Sequence, residues 1–258
     1  MINRLIGKNI LITGASSGIG EACAHQFAGM GANLILLARR HDRLVQLKQD
    51  LESKYKVTVE ICQLDVTNKV AVYDVLAKLL ESCSTLDVLV NNAGLALGLD
   101  YLIDDDISNW ETMIETNVKG FLYVLQLVGK KMSLQQHGHI INIGSIAGIE
   151  AYAKGAAYCA TKHAVHAITQ ATREEMVEFG VKVSEVLPGA INTEFSLVRF
   201  DGDRAKADAV YKGFEPLSAA DVAEIIVYNA NLPKHVNLSE AVILAGSQSR
   251  ATKIHKIL

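Results

Sequence analysis

The stretch "TGASSGIG", Thr13–Gly20, decides how the rest of the chain is read. It lies between an apolar run, "NILITGA" (9–15), and an amphipathic one, "GIGEACAHQFAGMG" (18–31). A strand that turns through glycines into a helix presents the helix's first backbone N–H groups, and these attract a pyrophosphate. Gly14, Gly18 and Gly20 let the backbone turn tightly and approach such a ligand. The spacing is G-x-x-x-G-x-G, different from the dinucleotide fingerprint G-x-G-x-x-G. Glycines that serve only the turn give the same letters; what favours nucleotide binding is the position in the first strand–helix turn of an alternating chain.

That alternation runs outward in order. Strands are expected at 33–40, 57–66, 86–94, 138–148, 181–190 and 239–245, with helices at 41–55, 68–83, 109–132, 156–180 and 218–231. Ser108 is the expected N-cap of the helix at 109–132. Near-continuous apolar strands that alternate with helices imply a parallel sheet covered on both faces. Right-handed crossovers then give an α/β, Rossmann-type, doubly wound fold. With three prolines and no Ser/Gly-rich linker, residues 1–258 read as one domain. The weakly periodic segment 191–217 is long for a structureless loop and reads as a functional flap with short helices.

The 258 residues are 50% hydrophobic and 21% charged, enough for a core and against disorder. A net charge of −3 gives no reason to expect a nucleic-acid or anionic-membrane partner. The opening residues lack a secretory pattern, and no apolar run approaches the length of about 18 residues that a membrane-spanning helix needs. Cys23, Cys62, Cys83 and Cys159 show no C-x-x-C spacing and read as small buried hydrophobes in a reducing compartment. A cytoplasmic protein is expected.

The end of the second strand, "LILLARR", selects the nucleotide. Where an acid would bond a ribose 2′-hydroxyl there stands Ala38, followed by Arg39 and Arg40. Guanidinium groups suit a 2′-phosphate, so NADP is the expected cofactor; two solvated surface arginines are the plain alternative. Asp65 and the "NNAG" of 91–94 also fall at carboxyl ends of strands, where open α/β sheets bind ligands, although Asp65 alone reads equally as a helix cap. Tyr158 and Lys162 lie one helical turn apart, either as a packed aromatic and aliphatic stem or as an acid/base pair.

Taken in order, T-G-x-x-x-G-x-G at Thr13–Gly20, N-N-A-G at Asn91–Gly94, Asn117, Ser145, Y-x-x-x-K at Tyr158 and Lys162, and P-G-x-[IV]-x-T at Pro188–Thr193 resemble the short-chain dehydrogenase/reductase family across the whole chain. The resemblance implies a hydride transfer in which Tyr158 is the general acid/base, Lys162 lowers its pKa and holds the nicotinamide ribose, and Ser145 bonds the substrate oxygen. Asn117 would hold a water in a proton relay. Cofactor contacts would come from Gly14, Ser16, Ser17, Gly18, Ile19, Gly20, Arg39, Arg40, Asp65, Val66, Asn91, Ala93, Gly94, Tyr158, Lys162, Pro188, Gly189, Ile191 and Thr193. No metal enters this scheme, and His163 and His166 read as surface or packing residues.

The flap at 193–213, with "NNAGLALG", "WETMIETN", "HGHIINIGSIAG" and "LPKHVN", is similar to one subgroup, the NADP-dependent 3-hydroxy acid dehydrogenases acting on serine, allo-threonine or malonic semialdehyde. "PGAINTEF" is slightly shorter than that subgroup's pattern. A small carboxylate needs a cation, and Arg199 is the candidate; a solvent-facing arginine is its alternative. Other carbonyl substrates, namely a 3-oxoacyl thioester, a sugar or a cyclic ketone, stay open, as does an NADP-binding protein without chemistry. The resemblance further implies a homodimer or homotetramer paired through the helices at 109–132 and 156–180.

Overall fold

The computed structural model describes residues 2–257. Seven parallel strands form one sheet: β1 (Asn9–Thr13), β2 (Asn33–Ala38), β3 (Val59–Gln63), β4 (Val88–Asn91), β5 (Gly138–Ile143), β6 (Val181–Pro188) and β9 (Glu240–Ile243), in the order β3-β2-β1-β4-β5-β6-β9. Two further short strands, β7 (Ile191–Asn192) and β8 (Leu217–Ser218), pair with each other beside the sheet. Successive side chains of β1 show why the sheet carries helices on both faces. Ile10 and Ile12 join Phe27, Leu44 and Ile226 on one side, while Leu11 joins Leu76, Phe121 and Val128 on the other.

The chain leaves β1 toward one edge of the sheet and returns to build from β4 toward the other. The crevice between the carboxyl ends of β1 and β4 is therefore the topological switch point. It holds both the glycine turn and the "NNAG" stretch.

Strands end earlier than the apolar runs predict, because polar contacts at the crevice take over. β1 stops at Thr13, whose hydroxyl accepts the Asn92 and Ala93 N–H groups at 2.9 Å each, and Gly14 follows in the left-handed region at φ +65°. The helix expected at 109–132 starts at Ile107, so Ser108 lies inside it; Asp106 is the N-cap, its carboxylate accepting the Ser108 N–H at 2.9 Å. Two of the helices on that face contain a π turn, Val72–Leu76 and Glu115–Gly120. At the second, Gly120 lies so close to Val66 that a Cβ would stand 2.8 Å from its methyl group.

The helix expected at 156–180 is α-helical over Ala156–Met176, then tightens to a 3₁₀ turn that ends on Gly180 at φ +66°. The flap segment contains the short helices Glu194–Arg199 and Arg204–Tyr211. Cys23 and Cys159 are buried as expected, but Cys62 and Cys83 are only half-buried. Among the described residues no helix is long and apolar enough to cross a membrane.

Candidate active site

One cavity of 590 Å³ opens over the switch point and reaches from the glycine turn to the flap. It collects the residues expected of the site, with the exceptions of Gly20, Asn91 and Asn117. Gly20 is instead a packing requirement, since a Cβ there would collide with the Gly14 carbonyl. Asn91 is buried behind the strand end, where its amide donates to the Phe121 carbonyl at 3.2 Å. Its neighbour Asn92 lines the cavity and ties the turn down through the Thr13 carbonyl at 2.9 Å.

At the glycine end, the helix Gly18–Gly29 begins at Ser17, whose side chain makes no capping hydrogen bond to it. Its first N–H groups are thus available to an anion beside Gly14, Ser16 and Ile19, and the residues present fit a dinucleotide pyrophosphate. Arg40 closes this end. Its guanidinium donates to Ser16 Oγ at 3.1 Å and Ser17 Oγ at 2.5 Å, and pairs with Glu194 at 2.9 Å. Arg43 holds the same carboxylate at 2.8 Å, and together they keep Glu194 well below the usual carboxyl range. Arg39 projects outward, 67% exposed and 4.0 Å from Asp65. Asp65 is no helix cap: its carboxylate accepts the Thr67 N–H and hydroxyl, while Asn68 caps the following helix.

Deeper in, Tyr158 and Lys162 lie one turn apart on Ala156–Met176 and are both buried. Ser145, at the end of β5, caps a 3₁₀ turn by accepting the Ala147 N–H at 3.1 Å and lies beside the Tyr158 phenol, whose pKa it lowers. Lys162 Nζ donates to the Ile143 carbonyl at 2.9 Å. Asn117, in the second π turn, spends its amide on the Leu95 N–H and carbonyl at 2.9 and 2.7 Å and on Thr161 at 3.1 Å. It fixes the loop that follows β4.

Burial pushes the Tyr158 pKa well above the ordinary phenol value, reinforced by the neighbouring Tyr152 and opposed by Ser145 and Arg199. Burial also lowers Lys162 to about 8, an effect opposed by Glu185. At neutral pH the pair is therefore phenol and ammonium.

The flap roofs this end. Phe195 meets the Tyr158 ring edge-on at 5.8 Å, and the Arg199 guanidinium lies 5.5 Å from the centre of the same ring. Arg199 is anchored to the Gly98 carbonyl at 3.0 Å and the Tyr152 hydroxyl at 3.2 Å. It is half-buried and lines the cavity. Thr193 caps the flap helix, and Pro188, Gly189 and Ile191 line the wall beneath it. Tyr152, Phe195, Glu194 and Gln248, all lining the cavity, were not singled out by sequence, because no local motif marks them.

Of the two readings of His166, surface or packing, the structure favours packing. His166 bonds Glu185, a fully buried carboxylate on β6, at 2.7 Å.

Residues 8–202 match the family model for short chain dehydrogenases. A relative from Schizosaccharomyces pombe, named NADP-dependent 3-hydroxy acid dehydrogenase, is 42% identical over 256 residues and covers 99% of each chain. Another, from Chromohalobacter salexigens and named sulfoacetaldehyde reductase 2, is 42% identical, with 93% of this chain and 95% of the relative covered. Among solved structures, the closed form of serine dehydrogenase complexed with NADP+ matches with a TM-score of 0.87 at 38% identity, over 96% of this chain and all of the other.

Proposed function

The chain belongs to the short chain dehydrogenase family, and from that premise we propose that it is an NADP-dependent oxidoreductase that interconverts small 3-hydroxy acids and their 3-oxo counterparts. The observation that carries the substrate class is Arg199, a cation directed into the cavity 5.5 Å from the ring of the candidate acid/base. The names of the Schizosaccharomyces pombe relative and of the serine dehydrogenase structure support the same reading.

NADP, when bound, supplies the acceptor or donor of the hydride exchanged with the carbinol carbon. The chain's own residues do the rest. Arg199 binds the carboxylate and thereby sets which hydroxyl reaches Tyr158. Ser145 donates to the substrate oxygen and offsets charge developing on it. Tyr158 moves the proton: the buried phenol is in the form that donates to a carbonyl oxygen, and rising pH favours the phenolate that accepts a proton from an alcohol. Lys162 keeps a positive charge beneath it. At the other end Arg40, with Ser16 and Ser17, recognises the 2′-phosphate.

A sulfonate substrate is the second reading. Arg199 suits any small oxyanion, and one relative is named a sulfoacetaldehyde reductase. Initial rates with NADP+ and with NAD+ on serine, allo-threonine, 3-hydroxypropionate and 2-hydroxyethanesulfonate test both. Turnover of the carboxylates with NADP+ is expected; turnover of the sulfonate alone selects the second reading, and a preference for NAD+ removes the role given to Arg40. Self-association is part of the proposal, supported by the exposed Ile114 and Leu122 on the helical face at 107–135, and light scattering checks it.

A further inference from the structure

Tyr158, Lys162 and His166 recur every fourth residue on the helix Ala156–Met176, so the acid/base ladder continues one turn beyond Lys162. At its end is Glu185. This carboxylate comes from the middle of β6, is fully buried, and is packed directly under Gly144, where a Cβ would collide with its Oε1. Gly144 joins Ile143, whose carbonyl holds Lys162, to Ser145, which lies beside Tyr158. The glycine leaves the room that Glu185 fills.

The hydrogen bonds around the pair have a direction. Gln170 Nε2, a donor, meets His166 Nε2 at 3.0 Å, so the ring proton lies on Nδ1 and is donated to Glu185 Oε2 at 2.7 Å. Burial raises the Glu185 pKa, while the hydrogen bond from His166 and the charge of Lys162 oppose that rise and favour the carboxylate. Oε1 has no hydrogen-bond partner, and a buried charge of this kind is costly unless a cation compensates it. Lys162 is the buried cation it acts on.

We propose that Glu185, oriented by His166, is a positioning residue for the reaction: its carboxylate holds the Lys162 ammonium charged and seated on the Ile143 carbonyl. It deepens the function proposed above and rests on it only for the role of Lys162. The other groups near the pair do not supply this charge. Glu240 on β9 is occupied by Arg173 at 3.1 Å, which leaves the His166–Glu185–Glu240 cluster provided with protein partners and gives no reason to invoke a metal there. Beside the turn after β4 the neighbour of Lys162 is the uncharged amide Asn117, and on its own helix the neighbours are Tyr158 and His166. The direction of the effect is consistent: burial lowers the Lys162 pKa and Glu185 raises it.

The experiment is a titration of the full chain labelled with ¹³Cε-lysine, followed by NMR, with the Lys162 resonance assigned by Lys162→Arg. Glu185→Gln is expected to lower the Lys162 midpoint by about one pH unit or more. His166→Gln, whose amide can donate in place of Nδ1, is expected to stay close to wild type, while His166→Leu moves toward Glu185→Gln. The alkaline limb of the kcat profile should move down by the same amount, with KM for the acid little changed at neutral pH. If Glu185→Gln fails to fold, His166→Leu carries the test. An unchanged or raised Lys162 midpoint overturns the proposal. Because the titration needs no substrate, a shifted midpoint together with a blank substrate panel leaves the pair standing and fails the substrate reading.

Discussion

Replacing Arg199 by alanine isolates what the flap contributes to substrate choice. The guanidinium has five N–H donors, of which the bonds to the Gly98 carbonyl and the Tyr152 hydroxyl use two. The remainder, on both terminal nitrogens, is enough for a two-pronged grip on a carboxylate. Truncating one partner of such a buried, charge-assisted pair costs on the order of 3 kcal/mol, roughly a hundredfold in kcat/KM. The same substitution also releases the two tethers, each worth about 1 kcal/mol. Those tethers hold the flap for every substrate, so their loss cancels in a ratio. The assay is therefore kcat/KM for 3-hydroxypropionate divided by kcat/KM for neutral 1,3-propanediol, in wild type and in Arg199→Ala. The ratio should fall about a hundredfold, and less in Arg199→Lys, which keeps the charge and loses the fork. If both substrates suffer equally, Arg199 acts only by tethering the flap, and its role toward the carboxylate is wrong.

Two other outcomes follow from charges elsewhere in the molecule. Glu194→Gln removes the carboxylate that competes for Arg40 and Arg43; because these pairs are partly exposed and worth about 0–1 kcal/mol, NADP should bind up to about fivefold tighter by calorimetry, with NAD unchanged, and equal gains for both nucleotides would exclude competition with the 2′-phosphate. His139, buried on β5, has its pKa lowered from 6.5 to about 3 by burial and by Lys182, so the unfolded chain binds the extra proton first as pH falls. Its stabilisation is complete above 6.5 and is lost below it at up to about 1.4 kcal/mol per pH unit; urea midpoints between pH 7 and 4.5 should fall less steeply in His139→Gln, and parallel curves would refute the assignment.

The residues that could be found from sequence share one property: their chemistry is encoded in short spacings at the ends of elements. Gly14, Ser145, Tyr158 and Lys162 each stand at a fixed offset within one turn or one strand end, so the parallel-sheet pattern alone brings them to one crevice. Glu194 could not be found this way, since its partner Arg43 is 151 positions away and the pairing depends on how the flap folds back. The π turns are also absent from the pattern: the period of the helices is nearly unchanged, and what selects the extra residue is packing, as at Gly120 against Val66. Asp106 and Ser108 are both good capping residues two positions apart, and composition does not choose between them. The burial that raises the phenol pKa is not legible either, because spacing shows the nearby lysine but not what encloses the ring. Glu185 did leave a signal: a single acid inside the apolar strand "VKVSEVLP", a charge the sheet buries completely.

The six-residue helix Glu194–Arg199 explains why the segment at 191–217 has so little periodicity and yet carries both ends of the site. Of its residues Ser196 is the buried one, so it cannot be held by an apolar stripe as the sheet-covering helices are. Polar bonds hold it instead. Thr193 caps it, Glu194 binds Arg40 and Arg43 at the glycine end, Ser196 meets the Tyr211 hydroxyl at 2.6 Å, and Arg199 reaches Gly98 and Tyr152 beside Tyr158. Elements fastened by few apolar contacts and many partly exposed hydrogen bonds belong to the least stable part of a protein. Here that element is also the one whose first and last residues touch the nucleotide end and the substrate end of the same cavity. With its first and last positions taken by those two contacts, a six-residue helix has no room for the hydrophobic repeat that would have marked it as a helix.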